Sequence, residues 1–247
     1  MTSEQPRNID IALRRMIASV NIDIAEIKSA LESVDSNVHF NNDEYIRMAT
    51  NGGKTEVVKL LIKHGADIHV LDDFPLYQAC IYGHVDIVCI LLENGANVHA
   101  RNYESLRGAV QSGFNNVEIV SLLLEHGANV NATTNTMDIL NGAIWSPKRN
   151  TEIVKLLLEK GANVHAHNDA AILNATQRGY TEEVRLLLEH SASMTKHDLL
   201  VVAVRNGHVE TASLLLSYGA DPSKIPQEKI DELFGTVDTK PATIDKL

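Results

Sequence analysis

The sequence predicts an all-α fold, a solenoid of stacked helix–turn–helix units, and three observations predict it. The first is internal repetition. The pattern apolar-x-x-Ala recurs at Ala49, Ala79, Ala109, Ala143, Ala175 and Ala203, with spacings of 30, 30, 34, 32 and 28 residues. The second is a shared grammar downstream of each anchor. Four residues on stand Gly53, Gly83, Gly113, Pro147, Gly179 and Gly207, followed by runs such as TEVVKLLIKHGA, VDIVCILLENGA and TEIVKLLLEKGA. The third is composition. Aromatic residues are only 4% of the chain, so Leu, Val, Ile and Ala must build the core, which suits helices packed closely through small side chains.

Taken in order, residues 1–42 read as a degenerate capping unit, with Asn37-Val38-His39 echoing Asn97-Val98-His99. Six units follow across 43–226, at about 43–72, 73–102, 103–135, 136–168, 169–197 and 198–226. The first helix of each unit is short and carries the anchor alanine. In the second, Ile87, Val88, Ile90, Leu91 and Leu92 cover so wide a face that the helix must be largely buried. Gly95 ends it, since glycine adopts positive φ without steric cost. Ser191 replaces that glycine in the fifth unit, which makes 169–197 the expected weak point. Residues 227–235 predict a capping helix: Pro226 suits its first turn, Ile230, Leu233 and Phe234 share a face, and Gly235 suits its end. Residues 236–247 read as a disordered tail. One unit cannot bury both faces of its helices alone, so the copies must stack.

Composition also excludes function classes. The formal net charge of −10 argues against nucleic acid, whose affinity rests on Lys and Arg at phosphates. The opening MTSEQPRNIDIALRR lacks an apolar signal core, and no apolar run approaches the ~20 residues that cross a bilayer. Cys80 and Cys89 give no disulfide framework, so a cytoplasmic setting is expected.

The repeated histidines invite a metal or acid–base reading. His69, His99 and His165 stand in equivalent slots. Stacked units lie ~8–10 Å apart, whereas zinc ligands converge on one point at ~2.0–2.1 Å. Asn131 fills the same slot, so the slot needs a polar group that braces a turn through nearby backbone. GGKT at 52–55 imitates the tail of a phosphate loop, but Met48 occupies the position of its first glycine. Cys80 and Cys89 are not a CxxC pair and read as small core or semi-core residues. HExxH, GxSxG and GxGxxG are absent. No cofactor or catalytic residue is expected.

The repeat grammar resembles that of the ankyrin repeat, over residues 43–222. Phe74-Pro75-Leu76-Tyr77-Gln78-Ala79 stands where the family has T-P-L-H-x-A, and Gly83-His84 and Gly95-Ala96-Asn97 match its GH and GAD positions. The departures matter. The family period is about 33 residues, and the first spacings of 30 imply that three residues of the β-hairpin finger are trimmed. Extra residues enter at Asn115-Asn116 and around Arg149-Asn150. Short-fingered units of this kind resemble the ankyrin proteins of giant amoebal DNA viruses, which would place the chain in a host cytoplasm.

The resemblance implies a non-enzymatic, monomeric scaffold that binds a protein or peptide on the concave surface of the repeats. In the family, variable contacts lie in the finger and just before the GH glycine. Those positions give Ile81, Tyr82, Gln111, Trp145, Gln177, Arg178 and Arg205, with Phe74 and Tyr103 near the shortened fingers. Trp145, the single tryptophan, either anchors a partner or packs under the local insertion and Pro147. Arg178 and Arg205 favour a ligand with acidic residues beside an apolar anchor. Asn131 matches the family's asparaginyl hydroxylation position. Two further readings are an adaptor recruiting host ubiquitin-ligase or signalling machinery, and a metal-dependent protein or enzyme built on the histidines.

Overall fold

A computed structural model describes residues 8–33, 37–112, 116–133, 137–194 and 197–234. The chain divides into two units, 1–162 and 163–247. In the first, five helix pairs follow one another: α1 (Asn8–Ala18) with α2 (Ile24–Leu31), α3 (Phe40–Asn51) with α4 (Thr55–Lys63), α5 (Val70–Tyr82) with α6 (Val85–Glu93), α7 (Ala100–Gln111) with α8 (Val117–Glu125), and α9 (Ile139–Trp145) with α10 (Thr151–Glu159). The first helices pack successively in one layer, α1 to α3 to α5 to α7 to α9, and the second helices do the same in another. In the second unit α11 (Ala166–Gln177) packs on α13 (Leu199–Arg205), and α12 (Thr181–Glu189) on α14 (Val209–Ser217). A 3-10 turn (Pro222–Lys224) then leads to α15 (Gln227–Phe234).

The anchor alanines explain the close stacking of the first layer. Ala49, Ala79, Ala109, Ala175 and Ala203 are fully buried, and Ala143 nearly so. Around them Ile46, Leu76, Leu106, Ile119, Leu123, Ile172 and Leu187 are sealed from solvent. Glycines tighten the first layer further. A Cβ on Gly108 would lie 2.5 Å from the Ile81 side chain, and one on Gly142 would lie 2.9 Å from the Gln111 amide.

The N-terminal pair is tied down by a polar contact. The Tyr45 hydroxyl donates to Asp10 over 2.7 Å, both residues being buried. Burial, and then the bond to Asp10, hold the Tyr45 phenol far above its ordinary pKa. Arg14 pairs with Glu44 at 2.9 Å beside it. At the far end α15 lies where a capping helix is expected, with Ile230 partly buried. The Leu233 and Phe234 side chains, Gly235 and the tail 236–247 lie outside the described residues.

The shortened finger takes a form that the sequence spacing does not reveal. Among the described residues, a single antiparallel bridge, Thr133 to Asp138, is what remains of a hairpin. Elsewhere the chain enters the first helix through three consecutive left-handed residues. These are Asn41-Asn42-Asp43, Leu71-Asp72-Asp73, Arg101-Asn102-Tyr103 and His167-Asn168-Asp169, all with φ between 49° and 61°. For L-residues that conformation costs roughly 1–2 kcal/mol each. Asn and Asp tolerate it best, and eight of these twelve residues are Asn or Asp. The carbonyls it turns outward also find donors. Arg47 donates to the carbonyls of Asn42 and Asn41 at 3.0 and 2.9 Å, Arg101 to Leu71 at 3.3 Å, and the His197 ring to Asn168 at 2.5 Å.

The helix ends agree with their residues. Gly95 closes α6 with φ 91°, and Ser191 closes α12 in the same left-handed region with φ 70°. The serine therefore carries a strain that the glycines at equivalent ends do not.

Candidate functional site

The histidine slot resolves into a repeated polar clip. The backbone N–H of His39, His69, His99, Asn131 and His165 donates to the Asn or Asp side chain two residues earlier, at 2.8–3.1 Å. The turn is braced by the slot's backbone N–H rather than by its side chain, and the rings bond carboxylates instead of nearby backbone. Nδ1 of His39, His69 and His165 donates to the aspartate four residues on, Asp43, Asp73 and Asp169, at 2.9, 3.0 and 2.6 Å. These carboxylates are buried, and two reach into the following repeat. Asp43 accepts the Asp67 N–H at 2.8 Å, and Asp73 accepts the Asn97 N–H at 2.9 Å. The third residue of the left-handed turns at 41–43 and 71–73 is thus an acceptor shared between two repeats. The H-x-x-x-D spacing at 39–43, 69–73 and 165–169 was the available signal.

Where the pattern breaks, other contacts substitute. Tyr103 stands in the aspartate slot, and its ring meets His99 edge-on at 5.4 Å. The Asn131 amide donates to the Gly161 carbonyl at 3.1 Å, and its residue is exposed. Other histidines serve elsewhere. His64, His126 and His190 bond the carbonyl four residues back at the ends of α4, α8 and α12. His84 and His208 reach the carbonyls of Asn51 and Gln177 in the preceding repeat, at 3.3 and 2.9 Å. Among the described residues no three His, Cys, Asp or Glu side chains converge as metal ligands would.

The predicted contact residues fall into separate groups. Ile81 and Tyr82 end α5, Gln111 ends α7, and Trp145 ends α9, so they stand at the same ends of successively packed helices in the first unit. Tyr82 is 42% exposed and Trp145 45%. Between them, Ile81 leans on Gly108, while Gln111 sits against Gly142 and points its amide at the Met137 sulfur, 3.7 Å away. Asn116, one of the two extra residues between α7 and α8, is buried and donates to the Cys80 and Ala109 carbonyls at 3.0 and 3.3 Å.

Phe74 belongs to a different cluster. Its ring lies 5.8 Å from that of Tyr77, and the Arg101 guanidinium stands 5.3 Å from Phe74 and 5.6 Å from Tyr77. Arg101 also pairs with Glu104 at 2.7 Å, and Glu104 with Arg107 at 3.2 Å. Phe74 is thus engaged within the protein by stacking and a cation–π contact. In the second unit, Gln177 and Arg178 end α11 and Arg205 ends α13. Arg178 lies across the Tyr180 ring at 5.9 Å. Gln177 and Arg205 are exposed.

Three comparisons bear on this geometry. The sequence matches a family model described as ankyrin repeats, in three copies over residues 16–102, 106–168 and 165–225. Among solved structures, the crystal structure of the human ASB11 ankyrin repeat domain is similar, with a TM-score of 0.62 and 28% identity, covering 72% of this chain and 85% of that one. No curated protein matches the sequence.

Proposed function

Because this chain belongs to the ankyrin repeat family, whose repeats generally mediate protein–protein interactions, we propose that it is a non-enzymatic scaffold binding a partner protein or peptide through the row of helix ends in its first unit. The observation that carries this reading is the pairing of Tyr82 and Trp145. Both are large aromatics left nearly half exposed, on helices whose scaffold positions are otherwise sealed by alanine and leucine. Tyr and Trp are the side chains that most often anchor interfaces. Ile81 precedes Tyr82 in the chain, and Gln111 ends α7, which packs on both α5 and α9. The matching partner offers an apolar residue for this row. No described helix is long and apolar enough to cross a membrane. A cytoplasmic site of action, the host cytoplasm for a viral chain, fits the reduced-thiol composition and the likeness to amoebal-virus repeats.

Capture of partners from lysate by the wild type and by Tyr82→Ala/Trp145→Ala tests the reading. Losing two anchors should weaken capture by roughly 30-fold or more, about 2 kcal/mol, with unchanged helical circular dichroism. Equal capture by a folded double variant would reject these anchors.

A further inference from the structure

The second unit holds a cleft of about 460 Å³ between α13 and the chain that leads into α15. Its lining is mixed in a specific way. Val201, Val204 and Arg205 occupy one face of α13, following the i, i+3, i+4 spacing of a helix. Ile225 and Pro226 form an apolar floor, and Lys224, Lys229 and Glu232 complete the rim.

The charges there run against the rest of the molecule. Three cations face one carboxylate in the lining, in a chain whose formal net charge is −10. Two of the cations are already engaged, Lys224 with Asp198 at 2.6 Å and Lys229 with Glu232. Arg205 is exposed at the mouth. A guanidinium beside an apolar wall offers two parallel N–H donors to a carboxylate, while Val201, Val204 and Ile225 offer apolar surface to an adjoining side chain. Clefts of roughly 300–1,000 Å³ with a few fixed polar groups are the size that takes up small segments.

We infer that this cleft docks an acidic peptide segment of a partner protein, an aliphatic side chain seated on Val201, Val204 and Ile225 and a neighbouring Asp or Glu carboxylate on Arg205. The inference rests on the protein-binding reading above for its class of ligand, but uses neither Tyr82 nor Trp145. It makes the second unit a separate contact surface with its own charge preference.

The test uses the full chain labelled with ¹⁵N and an acetylated peptide of alternating Leu and Glu. Amide shifts should concentrate at Val201, Val204, Arg205 and Ile225. A peptide with Ser in place of Leu should bind at least about tenfold more weakly, and one with Lys in place of Glu should not bind. Arg205→Glu, at an exposed helix end, should weaken binding at least about tenfold and keep its circular dichroism. Lys229→Glu should weaken it in the same direction. Trp145→Ala should bind the peptide normally, which separates this surface from that of the first unit. The inference is overturned by no shifts up to about 1 mM peptide, by equal response to the Lys peptide, or by Arg205→Glu and Lys229→Glu both binding as wild type. Inorganic phosphate producing the same shifts at the same concentration would also overturn it, by marking a simple anion site.

Discussion

Asp73 joins three groups that are far apart in their demands: a histidine ring on its own turn, the N–H of Asn97 in the next repeat, and a left-handed backbone. Removing its carboxylate strands a part-buried N–H, and an orphaned donor costs about 1–3 kcal/mol. Asp73→Ala should therefore lower stability by about 2 kcal/mol in urea denaturation. His69→Ala should cost under about 0.5 kcal/mol, because the ring is half exposed and only one of the carboxylate's partners is lost. Comparable losses from the two variants would show that the ring, not the inter-repeat bond, is what matters. The cysteines make a second prediction at this scale. Cys80 is fully buried, and burial alone pushes its thiol far above its usual pKa. Cys89 is partly exposed, raised first by burial and then by the nearby Glu118 carboxylate. A thiol reagent at mildly alkaline pH should label one cysteine slowly in the folded chain and both in denaturant.

Between one unit and the next, the left-handed turn is the element that sets this chain apart. Leu71 is its least suited member, an aliphatic residue at φ 53° and 48% exposed. Leu71→Asn should stabilise the fold by about 0.5–1 kcal/mol, since Asn visits this region more readily and no core contact is lost. A lower denaturation midpoint would mean that Leu71 packs usefully where it stands. The sequence announced the helices plainly, because anchor alanines, wide apolar faces and helix-ending glycines each leave a periodic mark. It announced the trimmed finger only as a shortfall of three residues. The replacement was not legible in spacing, because its signature is local chemistry: the triplets NND, LDD and HND, rich in residues that tolerate positive φ. The site shows the same division. Tyr82 and Trp145 could be placed at helix ends from the repeat register. The Arg101 clasp on Phe74 and the cleft beside Arg205 depend on neighbours in three dimensions.

At the level of the whole molecule, stability in stacked repeats sums over units and their interfaces, so a local weakness stays visible. Ser191 places one such weakness at the end of α12. Amides across 169–194 should exchange faster than those across 73–112, and Ser191→Gly should narrow the difference by about 1 kcal/mol of local opening free energy. Equal protection of the two segments in wild type would remove Ser191 as a weak point. The net charge of −10 bears on partners rather than on fold. It keeps most of the surface unattractive to acidic segments and leaves the Arg205 cleft as a local exception.

The left-handed turns have one more consequence, for how the chain meets proteases. A protease draws its substrate into an extended strand several residues long, and exposed loop tips are where that ordinarily succeeds. At 41–43, 71–73 and 167–169 the backbone is wound the opposite way, and side chains bonded to its outward carbonyls hold it there. These junctions lie at the surface, where a projecting finger would be the natural place to cut, yet they give an enzyme nothing to straighten. A chain that has exchanged its fingers for such turns gives up contact area and should resist nicking between its repeats, so that limited proteolysis of the folded chain is expected to spare 41–43, 71–73 and 167–169.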